Sequence, residues 1–225
     1  MKILIVSGFL GAGKTTFIKR LARNVDQRFA ILENEYGAAG IDGARLGQNR
    51  QGTQKNVWEM TEQCICCIGK KDFAASVLTI ANVVDPEYLI VEPTGVGSLA
   101  RIIENLRQIE YERIQLLSPV TIVDVYSYRR YMAEYPELYQ DQIRSADTII
   151  VSKTEACQAE EKQRIQKFLQ EINPQAKIIT DYASTMTRED YQSLLLGGQA
   201  ADPTSAAIGR ERGKENICLL YTSPS

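Results

Sequence analysis

Short apolar runs alternate with amphipathic stretches along most of the chain. That alternation predicts an α/β fold, a mostly parallel sheet with helices on both faces. Lys2–Val6 predicts a first buried strand and Thr15–Arg23 a helix, with a glycine-rich loop between them. Phe29–Glu33 reads as a second strand, and the polar, Gly-rich stretch from Tyr36 to Thr53 carries too little periodicity for a regular element. Val57–Met60 predicts a short strand, Lys71–Val83 a helix, and Tyr88–Val91 a strand ending at Glu92. Ser98–Gln108 is a predicted helix, Val120–Val123 a strand ending at Asp124, and Tyr126–Ser145 a helical stretch interrupted at Pro136. Thr148–Val151, Glu160–Ile172, Lys177–Thr180 and Arg188–Leu196 complete the alternation, with Gly197-Gly198 as the stop signal. These elements define one domain over residues 1–197. Residues 198–225, rich in Gly, Ala, Ser and Pro, predict a flexible tail. The closing stretch Cys218–Ser225 looks like translated sequencing-adaptor read-through, so a truncated C-terminus is expected.

Composition narrows the class. The 225 residues suit one sizeable α/β core, at roughly 150 residues per domain. A 44% hydrophobic and 24% charged chain is globular rather than disordered. A net charge of −2 gives no electrostatic reason to expect nucleic acid as a partner. No apolar run approaches the roughly 20 residues of a membrane span, and the apolar start runs into a glycine loop rather than a signal-cleavage site. A cytoplasmic protein without a membrane partner is expected. Three of the five cysteines, Cys64, Cys66 and Cys67, fall within four residues. An odd count bunched this way makes a poor disulfide framework and suits a thiolate metal site in a reducing compartment. The chain has no histidine, so metal ligands must come from cysteine, carboxylate, backbone, water or a partner.

The sharpest chemical signal is Gly8-Phe9-Leu10-Gly11-Ala12-Gly13-Lys14-Thr15, which fits G-x-x-x-x-G-K-[ST] between a predicted strand and a predicted helix. Gly8, Gly11, Ala12 and Gly13 let the backbone curl so that N–H groups converge on a β-phosphate, helped by the helix N-terminus. Lys14 is expected to reach the β- and γ-phosphates, and the Thr15 hydroxyl to ligate Mg²⁺. Glu92-Pro93-Thr94-Gly95 follows a buried strand, at the sheet edge where open α/β folds bind ligands. Glu92 is placed to hold a Mg²⁺-bound water, and the Gly95 amide to sense the γ-phosphate as a switch. Alone, an acid at a strand end would equally be a solvated terminus.

Ser152-Lys153-Thr154-Glu155 follows another strand and is similar to the guanine-reading N-K-x-D motif of GTPases. Lys153 would pack its stem on the base and Glu155 accept hydrogen bonds from guanine, although Ser stands for Asn and Glu for Asp. The plainer alternative is a polar strand-to-helix loop. In Glu62-Gln63-Cys64-Ile65-Cys66-Cys67 three thiolates can wrap one soft or borderline ion and leave a position open for release. The alternative there is a set of small buried cysteines. Glu33-Asn34-Glu35-Tyr36-Gly37 occupies a switch I position, and Glu33 and Glu35 could reach either Mg²⁺ or the thiolate-bound metal. Solvated acids capping a strand end are the bland reading.

Taken together, Gly8–Thr16, Glu33–Gly37, Cys64–Cys67, Glu92–Gly95 and Ser152–Glu155 resemble the CobW-type GTPases, relatives of UreG and HypB. The resemblance covers residues 1–195. It implies a phosphate-loop NTPase fold and a metal-trafficking or cofactor-insertion GTPase that hydrolyses GTP to GDP slowly while delivering zinc or cobalt to a client. It also implies that Gly11, Gly13, Lys14, Thr15 and Thr16 bind phosphate and Mg²⁺. Glu33, Cys64, Cys66 and Cys67 become metal ligands, Lys153 and Glu155 face the base, and Lys14, Thr15 and Glu92 serve catalysis. Partners would be a client metalloprotein or cofactor-insertion machinery, with room for a nucleotide- or metal-dependent homodimer. Three departures stand out: Ala38 where many members carry an acid, the altered base motif, and no second domain of roughly a hundred residues. No arginine finger or water-positioning glutamine is evident, so turnover well below about one per second is expected. The alternatives are an ATP-using enzyme sharing only the phosphate loop, and a nucleotide-dependent binding module in corrinoid enzyme maturation.

Overall fold

The computed structural model describes residues 1–33, 57–61, 70–93 and 95–196. Strand β1 (Lys2–Gly8) leads into α1 (Lys14–Asn24) and β2 (Phe29–Glu33). Next come β3 (Val57–Thr61), α2 (Lys70–Val83), β4 (Tyr88–Glu92), α3 (Leu99–Arg107) and the two-residue β5 (Gln115–Leu116). Then follow β6 (Val120–Asp124), α4 (Tyr128–Glu134), α5 (Pro136–Arg144) and β7 (Thr148–Ser152). The described chain closes with α6 (Ala159–Ile172), β8 (Lys177–Ile179), α7 (Tyr182–Thr185) and α8 (Arg188–Leu196).

The main strands lie in the order β3-β2-β4-β1-β6-β7-β8, with β5 also pairing with β1, and every named pairing is parallel. Burial on both faces explains why the strands read as continuous apolar runs. Leu4 and Val6 of β1 pack into a cluster with Phe17, Ile18 and Leu21 of α1 and Tyr191 of α8. Their neighbours Ile3 and Ile5 face the other way, onto Val77 and Ile80 of α2 and Ile102 and Leu106 of α3. The second half repeats the arrangement, with Ile150 on the α1 side and Ile149 and Val151 against Ile143 of α5 and Ile165 of α6.

The predicted break at Pro136 is the boundary between α4 and α5, where proline opens the second helix at a position that needs no N–H donor. Two short elements, β5 and α7, go beyond the sequence pattern because neither is long enough to show a period. β1 runs on to Gly8 because Ser7 and Gly8 still pair with Thr121 and Ile122 of β6. The first glycine of the phosphate motif is therefore a strand residue. The 36–53 loop, the Gly197-Gly198 stop and the 198–225 tail lie outside the described residues. Among the described residues no helix is long and apolar enough to cross a membrane. Because the sheet is parallel, the residues ending β1, β2, β4, β6, β7 and β8 share one edge, and that edge carries the chemistry.

Candidate functional site

Between β1 and α1 the chain curls through Gly11 and Gly13, at φ of 72° and 98°, a region that favours glycine. The Phe9 carbonyl closes the turn by accepting the Ala12 N–H at 3.1 Å. Gly13 caps α1, whose first turn holds no acid, so its positive end stays available to an anion. Lys14 is buried, and its Nζ donates to the Phe9 carbonyl at 3.4 Å. Burial pushes the Lys14 pKa down, and the charge of Glu92 offsets only part of that. Phosphate oxygens would restore a strong partner and raise the pKa again. Nucleotide binding is thus expected to take up a proton at pH values between the lowered pKa and 10.5. Calorimetry in buffers of different ionisation heat measures this, and uptake that persists in Lys14→Met would defeat the assignment.

Thr15 and Glu92, expected from different motifs, meet directly. The Thr15 hydroxyl lies 3.0 Å from Glu92 Oε1 and 3.2 Å from Oε2. A hydroxyl beside a carboxylate is the hard-oxygen set that Mg²⁺ takes, usually keeping several waters. Thr16 is exposed on the first turn of α1. Glu33 pairs in register with Glu92 across β2 and β4, so the predicted switch I segment starts beside the acid expected to hold a Mg²⁺-bound water.

Gly95 is pressed against the phosphate loop. A Cβ there would lie 2.4 Å from the Leu10 amide nitrogen and 2.8 Å from the Phe9 carbonyl carbon. This packing makes the start of the loop after β4 a direct neighbour of the phosphate loop. Its other side is held by α5. Gln142 Nε2 donates to the carbonyls of Gly95 and Gly97 at 3.1 and 3.0 Å, and Asp141 accepts the Leu99 N–H at 2.7 Å. No sequence motif marks either residue. Tyr131 of α4 similarly donates to the Leu10 carbonyl at 3.0 Å, and Phe9 stacks among Tyr131, Tyr135 and Tyr139.

The third loop lies after β7. Ser152 is buried, and its hydroxyl donates to the Ala12 carbonyl at 2.6 Å, tying this loop to the phosphate loop. Lys153 adopts φ 61° and pairs with Asp124 at 2.7 Å, while Glu155 stands exposed. Burial alone would raise the Asp124 pKa. Hydrogen bonds from Lys153, the Tyr126 N–H and the Ser127 hydroxyl, with the charge of Lys153, outweigh it and hold the carboxyl below its ordinary value. The lysine head is thereby pinned while its side chain stays half-exposed.

The sequence profile described as CobW/HypB/UreG, nucleotide-binding domain, matches residues 2–180. The chain belongs to this family. The zinc chaperone YeiR of Escherichia coli (strain K12) is 30% identical over 178 residues, which span 78% of this chain and 53% of that protein. The zinc chaperone CobW of Pseudomonas aeruginosa is 27% identical over 194 residues, 73% of this chain and 52% of that protein. The chain thus spans about half the length of the curated relatives it matches. Among solved structures, Zn(II)-bound YjiA GTPase from E. coli aligns with a TM-score of 0.61 at 23% identity, covering 83% of this chain and 58% of that one. That likeness shows a shared fold, and together with the family profile it is the phosphate-loop NTPase fold.

Within this CobW/HypB/UreG domain the structure brings together Gly8, Gly11, Ala12, Gly13, Lys14, Thr15, Glu92 and Gly95, and joins Ser152–Glu155 to them through Ser152. Glu35, Thr94, Cys64, Cys66 and Cys67 lie outside the described residues. Cys157 is a free thiol packed at the edge of the α6 cluster, consistent with a structural role.

Proposed function

We propose that this chain is the nucleotide-binding part of a metallochaperone that binds GTP, hydrolyses it slowly, and couples nucleotide state to zinc or cobalt delivery to a client metalloprotein or cofactor-insertion machinery. The observation that carries the reading is the meeting of Thr15 with Glu92 beside the buried Lys14. Lys14 would bind the β- and γ-phosphates, and Thr15 with Glu92 would hold Mg²⁺ directly or through water. When bound, Mg²⁺ would neutralise charge on the phosphates. Gly95 would report the γ-phosphate through its contact with the phosphate loop. Glu33, in register with Glu92, would pass the state to the segment leading toward Cys64, Cys66 and Cys67. The zinc chaperones among the relatives support zinc as the cargo.

Two measurements test this. A competition titration should favour GTP over ATP, and equal affinity would sink the guanine reading. Purified protein should carry stoichiometric Zn²⁺ or Co²⁺ that Cys66→Ser loses. A protein that binds GTP but no metal would instead favour a nucleotide-dependent binding module.

A further inference from the structure

The segment after β4 is held by two consecutive residues of α5. Gln142 Nε2 donates to the Gly95 and Gly97 carbonyls, and the Asp141 carboxylate accepts the Leu99 N–H at the start of α3. Three backbone groups within five residues are thus tied to one helix. Gly95 and Gly97 are buried, and between them Val96 turns outward at 56% exposure.

Gln142 is itself fixed. It is 1% exposed, and its backbone carbonyl accepts the Thr121 hydroxyl at 2.9 Å. Thr121 lies in β6 and pairs in register with Ser7, the residue just before the first glycine of the phosphate motif. The grip on Gly95 is therefore anchored next to the strand that carries the phosphate loop. Nε2 serves both glycine carbonyls, whereas Gln142 Oε1 is buried and has no hydrogen-bond partner among the described residues. A buried acceptor left unpaired destabilises the fold. Turning the amide over would be worse, because its oxygen would then face two carbonyl oxygens. Filling this space needs no amide, since a methionine of similar length would leave no such acceptor unpaired. The amide answers to the two glycines.

What the grip controls follows from glycine. Two glycines flanking one residue give that stretch of backbone unusual conformational freedom. On one side Gly95 abuts the phosphate loop, where a Cβ would lie 2.4 Å from the Leu10 amide nitrogen. On the other its carbonyl is held by Gln142. With both sides held, rotation about the Gly95 backbone bonds is restricted, and so is the direction of its N–H. We propose that Gln142 is a positioning residue for the third phosphate: it pre-sets the Gly95 N–H that a γ-phosphate meets, and so sets the preference for GTP over GDP. The inference rests on the GTP reading given above. A loop ordered before binding loses less entropy when the γ-phosphate arrives, and GDP, which lacks that phosphate, gains nothing from it.

The experiment measures Mg²⁺-dependent affinities of the full chain for GDP and for a non-hydrolysable GTP analogue, with the melting temperature alongside. Gln142→Met keeps the side-chain length and removes both donors, while Gln142→Glu keeps the shape and offers at most one. Asn173→Ala is the control, since the Asn173 amide holds the end of the same helix through the Ile143 and Arg144 carbonyls at 2.8 and 3.3 Å. The ratio of analogue to GDP affinity should fall about tenfold in Gln142→Met, the lower end for one hydrogen bond to a charged group. It should fall by about threefold or more in Gln142→Glu, with GDP affinity kept within about twofold in both. Asn173→Ala should lower the melting temperature and leave the ratio within about twofold. Parallel weakening of both nucleotides in the Gln142 variants, or an unchanged ratio, overturns the proposal and leaves the GTP reading standing. So does an equal fall of the ratio in Asn173→Ala, which would trace the effect to a general loosening of α5. An unsubstituted chain that binds neither nucleotide overturns the GTP reading, and this inference with it.

Discussion

Replacing Lys14 with Ala should lower GDP and GTP affinity by about two orders of magnitude or more. Hydrogen bonds to charged groups contribute about 1.5–3 kcal/mol each, and every 1.4 kcal/mol is tenfold in affinity. Two phosphates reached by one ammonium therefore amount to at least a hundredfold on this scale. The same residue works against the fold. Its burial lowers its pKa, so the unfolded chain binds more protons between that pKa and 10.5. The cost to stability is present below the lowered pKa and fades as pH rises toward 10.5. Lys14→Met keeps the buried stem and removes the charge, so it should lose nucleotide affinity as Ala does while melting no lower than the parent. Equilibrium dialysis with GDP and a thermal melt read the two effects separately. Wild-type affinity in either variant would remove the phosphate assignment. A melting temperature that falls in Lys14→Met would show instead that the ammonium stabilises the loop.

Much of this edge was legible in the sequence, and the physical reason differs from residue to residue. Lys14 and Thr15 follow from a spacing that only a strand–loop–helix turn requires. Glu92 follows because a buried parallel strand that ends in an acid must present it at the binding edge. What could not be read were contacts made by residues with no local pattern. Gln142 sits in the last turn of α5 like any helical glutamine, and only the packing of α5 reveals that it grips Gly95 and Gly97. Ser152 counted as a departure from the base motif, yet its hydroxyl makes the bond that joins that loop to Ala12. The two-residue β5 and the single-turn α7 were invisible because periodicity needs length. The register of Glu33 with Glu92 is a property of strand order, since β4 inserts between β1 and β2.

Gly8→Ala should destabilise the whole domain by about 3 kcal/mol or more, because two penalties coincide there. At φ 142° the backbone is in a region L-residues rarely enter, worth about 1–3 kcal/mol. A Cβ would also lie 2.5 Å from the Ile122 carbonyl oxygen and 3.2 Å from the Ile122 Cβ. Ile122 cannot retreat, since β6 pairs with β1 on one side and β7 on the other and both strands are buried. For a domain of this size about 3 kcal/mol corresponds to roughly 6–12 °C in melting temperature. Gly11→Ala isolates the cause. Its φ of 72° is also positive, but a Cβ there meets nothing within 4 Å. It should cost only about 1 kcal/mol, the price of left-handed backbone without the overlap. Similar melting temperatures for the two variants would mean that β1 and β6 separate more readily than their pairing indicates. A large gap would confirm that the first glycine of the motif serves the sheet as much as the phosphate, since a side chain there must part the two strands between which the loop is anchored.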